Sequence, residues 1–131
     1  MKGLQYSYAS EKFSEAVYAL ATGQGDVRSR LLSAWSGHLW VLTPEHLPEK
    51  LRNDFLWIKK RLHKYHEDWP GQLKDLQEKE KIDPTFREKF AWLYPSPVKA
   101  TLSRIKNRTG SEIAARIFAI YDSLESITRD R

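Results

Sequence analysis

Arg61 and His66 stand five residues apart in a chain of 131. At that spacing a guanidinium can hold a phosphate while an imidazole moves a proton, which is the chemistry of metal-independent RNA cleavage. Chance has to be counted first: ten arginines, four histidines and three permitted spacings give about one accidental match in a chain of this length, and one is found. Residues five apart on a continuous helix also point about 140° from each other, so the pair converges only if the helix ends between them or a second subunit contributes. Leu62, directly after the arginine, belongs to an apolar stripe rather than a polar site.

A second constellation is electrostatic. Lys59, Lys60, Arg61, His63 and Lys64 cover the polar side of one predicted helix with Trp57 beside them, and Arg104, Lys106 and Arg108 gather near the end of another. Phosphate backbones favour such a surface, and an aromatic ring can stack on an unpaired base. Lys59, Lys60, Lys64, Arg104 and Lys106 are therefore the candidate nucleic-acid contacts. Most charge runs are simply solvated faces, however. Asp54, Glu67 and Asp68 lie close in sequence, and Asp75, Glu78 and Glu80 can fold over the cluster and neutralise it. The net charge of +5, from 22 basic against 17 acidic residues, favours acidic partners only mildly. A helix-turn-helix reading of the last two helices is poor, because Glu112, Ile113, Ala114 and Ala115 open the would-be recognition helix and leave Arg116 as its one early base reader. A helical hairpin is the better expectation.

The five tryptophans carry more contact area than so short a chain can hide completely. Trp35 falls on a packed helix face and is assigned to the core, whereas Trp40, Trp57, Trp69 and Trp92 fall at flanks or breaker-rich positions. Trp57, Trp69 and Trp92 are the candidate partner-binding residues, since interfaces are enriched in such side chains.

Other chemistries find less support. There is no cysteine, which removes disulfides, thiolate metal sites and cysteine nucleophiles together. His38 is placed on the apolar face of the second helix without His or Glu partners at ligand spacing, and is expected to be a satisfied core or boundary residue. No metal and no cofactor are expected. Glu67-Asp68 diverge as neighbours on a helix, and Gly23-Gln24-Gly25-Asp26 lacks the lysine and the preceding strand of a phosphate loop. Residues 1–8 carry no leader-like apolar stretch, and no uninterrupted apolar run, Leu39 to Leu42 included, comes near the length of a membrane span. A cytoplasmic location with no membrane partner is the expectation.

The elements that must position these groups follow from apolar spacing. Leu51, Phe55, Ile58, Leu62 and Tyr65 recur at intervals of four and three, as do Ile113, Ile117, Ile120, Leu124 and Ile127; each set lies on one stripe of a helix. Two such helices must bury their stripes against others, which predicts an all-α, single-domain bundle of about five to six helices over 1–131. Ser10 is read as the cap of a first helix with Phe13, Ala16, Val17 and Leu20, ending at Gly23. Asp26 caps a second, central helix running to about Leu42, whose Ser29, Ser33, Ser36 and Gly37 side is small enough for close helix approach. Pro44 and Pro48 lead into a third helix ending near Tyr65. Residues 66–94 form an irregular excursion: a break at Trp69-Pro70-Gly71, a charged stretch, and a short helix after Asp83-Pro84. Ser96-Pro97 starts another short helix, and Thr109-Gly110-Ser111-Glu112 is a capping box for the last long one.

With these residues in place, the chain resembles an uncharacterised family of small all-helical bacterial proteins. The matching positions are Ser10-Glu11-Lys12-Phe13, Ala16-Val17, Arg30-Leu31, Pro44-Glu45, Leu47-Pro48, Leu51-Arg52, Phe55, Ile58, Ala100-Thr101-Leu102, Ile113-Ala114, Ile117 and Tyr121. Nearly all are caps or core positions, so the resemblance implies a scaffold and no activity, ligand or catalytic residue. Three functional readings follow, in this order: a non-catalytic protein that binds another protein or itself, a sequence-independent nucleic-acid binder, and a metal-independent ribonuclease centred on Arg61 and His66.

Overall fold

The computed structural model describes residues 5–65, 70–90 and 96–129. Seven α-helices and two short 3-10 turns make up this part of the chain, with no strand among the described residues: α1 (Ser7–Thr22), α2 (Val27–Gly37), the turns Leu39–Val41 and Pro44–His46, α3 (Glu49–Leu62), α4 (Pro70–Ile82), α5 (Phe86–Lys89), α6 (Pro97–Arg104) and α7 (Asn107–Arg129). The all-α expectation is met. The long helix α7 packs on α1, α2 and α3, while α6 lies against α2 and α3. The helical hairpin expected of the last two helices is thus opened out, because the apolar face of α6 is spent on α2 and α3.

The stripes do what their spacing requires. Leu51, Phe55, Ile58 and Leu62 from α3 and Ile113, Ile117, Ile120 and Leu124 from α7 are buried, and they meet Phe13 and Ala16 from α1 and Leu31, Ala34 and Trp35 from α2. At the centre Phe55 is stacked on Trp35 with ring centroids 6.0 Å apart and meets Phe13 edge-on at 6.3 Å, arrangements that aromatic quadrupoles favour. Trp35 is a core residue, as its position predicts.

Helix boundaries follow local chemistry. Asp26 Oδ1 accepts from the N–H groups of Arg28 and Ser29 at 3.0 and 3.2 Å, satisfying donors that a helix start leaves open. Its carboxyl is held below the ordinary aspartate range, chiefly by the hydrogen-bonded Arg28 side chain. A lowered folded-state value stabilises the fold above the unfolded aspartate pKa, and that contribution disappears as pH falls through the folded value. Ser96 Oγ caps α6 by accepting from Lys99 N–H at 3.2 Å. Gly25, with φ +87°, makes the turn before Asp26 in a conformation that L side chains rarely adopt.

Other boundaries differ from expectation. Ser10 is not a cap: α1 begins at Ser7, and the buried Ser10 hydroxyl donates to Glu125 Oε1 of α7 at 3.4 Å. The second helix stops at Gly37, and the 3-10 turn that follows lets Leu39 and Leu42 both enter the core while Trp40 faces solvent. Ser29, Ser33, Ser36 and Gly37 are exposed, and a side chain at Gly37 would meet nothing within 4 Å, so the close approach expected there does not occur. It occurs at Gly110 instead. That residue lies inside α7, not in a cap, and a Cβ on it would stand 3.0 Å from Val27 Cγ1 of α2. Within the 66–94 stretch Pro70 opens a 13-residue helix, which fits because the first turn of a helix does not use the missing N–H. No helix of the described residues is long and apolar enough to cross a membrane.

Candidate nucleic-acid interface

Helix α3 buries one stripe and thereby turns its remaining surface outward. Lys59, Lys60, Arg61 and Lys64 are exposed and His63 is half-buried at the helix end. Cations in a last turn complement the negative end of the helix dipole, an effect of about 0.3–1 kcal/mol each, so part of this charge has a structural role. All of these residues but Lys59 also line, with Trp57, a recess of about 670 Å³. A second, smaller groove of about 360 Å³ between α3 and α7 is lined by Trp57, Glu112, Ala115, Arg116 and Ala119. Trp57 is the wall between the two.

Two aromatic rings organise the cations. Arg61 and Arg116 both lie over the Trp57 indole, with guanidinium carbons 4.7 and 4.4 Å from its centroid. Arg116 is tethered, since its Nη1 donates to Asp54 Oδ1 at 2.8 Å, whereas Arg61 has no carboxylate partner among the described residues. The second ring is Tyr65, with Lys64 Nζ at 5.4 Å and the Arg104 guanidinium at 5.2 Å. Lys64 and Arg104 come from groups forty residues apart in sequence, and Tyr65 brings them onto one face. Lys59 and Lys106 are exposed nearby in sequence but do not line the recess.

Of the acids expected to neutralise the basic cluster, Glu67 and Asp68 lie outside the described residues, and none of the others pairs with it. Asp54 is committed to Arg116, Glu80 faces Arg87 at 3.9 Å, and Glu112 faces Arg108 at 4.0 Å. None of Lys59, Lys60, Lys64, Arg104 and Lys106 has an ion-pair partner among the described residues.

The histidines are dispersed. His38 follows the end of α2, off the apolar face, with Nδ1 2.9 Å from Glu15 Oε2 of α1. His46 Nδ1 accepts from Thr43 N–H at 3.0 Å. His63 Nδ1 donates to Lys59 O at 2.7 Å, which leaves the proton off Nε2 in the neutral ring. His66, together with Trp69 and Trp92, lies outside the described residues. Of the three tryptophans read as partner anchors, Trp57 alone is therefore placed, and it is half-buried under two guanidiniums.

Two contributors escaped sequence reasoning. Tyr65 looks like the last rung of a core ladder, and Arg116 looks like a lone base reader; only the packing of α3 against α6 and α7 gives them their places. Comparisons with protein-family models, with curated proteins and with solved structures found no match, so the chemistry of the site is argued from its own residues.

Proposed function

We propose that this chain is a non-catalytic, sequence-independent nucleic-acid-binding protein whose phosphate contacts are Lys59, Lys60, Lys64, Arg104 and Lys106. The observation that carries this is the convergence of Lys60, Arg61, Lys64 and Arg104 around Trp57 and Tyr65, with no carboxylate partner for those four among the described residues. Unpaired cations on one surface displace counterions from a phosphate backbone, a gain that needs no particular base sequence. Binding of a protein partner through Trp57, Trp69 and Trp92 ranks second. Trp57 is flanked by guanidiniums instead of standing open, and the aromatic residue most open to solvent near the bundle's 3-10 turns is Trp40, 62% exposed. For cleavage by Arg61 and His66, the guanidinium is placed over an indole and its histidine partner is outside the described residues.

Amide spectra of labelled protein test the assignment of the face. Adding a short oligonucleotide at low salt should shift the signals of residues 57–65 and 101–106 and leave those of Tyr18 to Gly25, at the far end of α1, in place. Shifts centred on Trp40, or none, would contradict the proposal.

A further inference from the structure

We infer that the ligand of this face is single-stranded nucleic acid, and that Tyr65 is the residue on which one of its bases stacks. The inference rests on the nucleic-acid proposal above and adds the strandedness of the ligand and a residue that the phosphate contacts alone do not require.

Tyr65 follows the end of α3, where backbone groups lose their helical partners. It is held from both directions by one side chain: its N–H donates to Thr101 Oγ1 at 3.0 Å, and that hydroxyl donates back to Tyr65 O at 3.4 Å. Thr101 is fully buried in α6, so the pin is anchored in the bundle and not in a loop. Closing α3 onto α6 would be served by these hydrogen bonds alone, with any side chain at 65. The ring is what needs a further account. It is half-buried, and two cations that no carboxylate neutralises among the described residues lie over it.

A surface contact between a cation and an aromatic ring is weaker than a base stacked on the same ring. A strand lying along this face can therefore take the place of Lys64 or Arg104 at Tyr65. The displaced side chain swings to the phosphate on either side of the stacked base, where a full negative charge holds it better than a quadrupole. Trp57 offers a second site of the same kind, since Arg61 has no carboxylate partner among the described residues while Arg116 is held by Asp54. Both exchanges need a base free of its partner. A duplex keeps its bases inside the stack and presents only phosphate and groove edges, so it can use the cations but neither ring. A ring whose backbone is pinned, flanked by exposed cations, thus discriminates by strandedness without reading sequence.

The test is fluorescence polarisation at low salt with three labelled probes of equal length: a single strand, its duplex, and a single strand carrying abasic sites. The full chain should bind the single strand about ten-fold or more tighter than the abasic strand or the duplex. Tyr65→Ala should lose about ten-fold on the single strand and leave the other two probes unchanged, and Tyr65→Phe should keep the preference. Tyr65→Leu, which retains apolar volume without a π face, separates lost stacking from lost packing and should behave as Tyr65→Ala does. Binding to all three probes with equal affinity, or a Tyr65→Leu protein as selective as the parent, would overturn the inference while leaving nucleic-acid binding standing. No binding to any probe would remove both.

Discussion

The triple charge reversal Lys60→Glu, Lys64→Glu, Arg104→Glu is expected to weaken oligonucleotide binding on the order of a thousand-fold at low salt while the protein stays folded. A phosphate contact contributes about 1 kcal/mol in bulk water and about 4 kcal/mol near a protein surface. A modest 1.4 kcal/mol, or tenfold, for each of three cations gives the stated loss. Stability should change much less. The three side chains are exposed and without ion-pair partners among the described residues, and the main folding terms at stake are the helix dipoles at the ends of α3 and α6, about 0.3–1 kcal/mol each for Lys60 and Arg104. Titration of a labelled oligonucleotide with parent and variant checks the binding, and a melting curve checks the fold. A variant that binds within threefold of the parent would place the contacts elsewhere.

Phe55→Ala should be the most damaging single truncation for the fold, lowering stability by about 3–5 kcal/mol. Phe55 is fully buried and touches both Trp35 and Phe13, so removing its ring opens a cavity where α1, α2 and α3 meet. Typical domains have only about 5–15 kcal/mol in total; the melting temperature should drop by about 10–20 °C for a chain of this size. Phe55→Leu, which keeps most of the volume, should cost about 1.5 kcal/mol or less. Denaturant unfolding of the two variants measures the difference, and equal losses would mean that the aromatic cluster is not tightly packed.

The residues that make this bundle are those whose chemistry is local. Asp26 and Ser96 accept the hydrogen bonds expected of helix caps, and the α3 and α7 stripes were legible because a period of 3.6 marks a buried face regardless of what covers it. Ser10 and Thr109-Gly110 misled for one reason. A small polar residue ahead of an apolar run reads as a cap, but packing against α7 and α2 respectively drew both into helix interiors. Gly37 and Gly110 are the same residue type on two helices, and only the approach of α7 to Val27 tells which one must lack a side chain.

At the candidate site, the cations Lys59, Lys60, Lys64, Arg104 and Lys106 were readable as charge clusters. Their grouping was not. Tyr65 joins Lys64 to Arg104 only because Thr101 pins the end of α3 to α6, a contact spanning 36 residues, and Asp54 was expected to quiet the basic cluster but pairs with Arg116 of α7. Long-range pairing decides which charges remain available, and no local pattern encodes it.

The central claim is that a face of cations without ion-pair partners among the described residues holds nucleic acid through its phosphates, and the salt dependence of binding by the unmodified chain measures it most directly. Five phosphate contacts on a single strand predict a log–log slope of about −3.5, so affinity for a labelled oligonucleotide should fall about a hundred-fold between 50 and 200 mM salt. An affinity that does not change over that range, or no binding at 50 mM, would contradict the account.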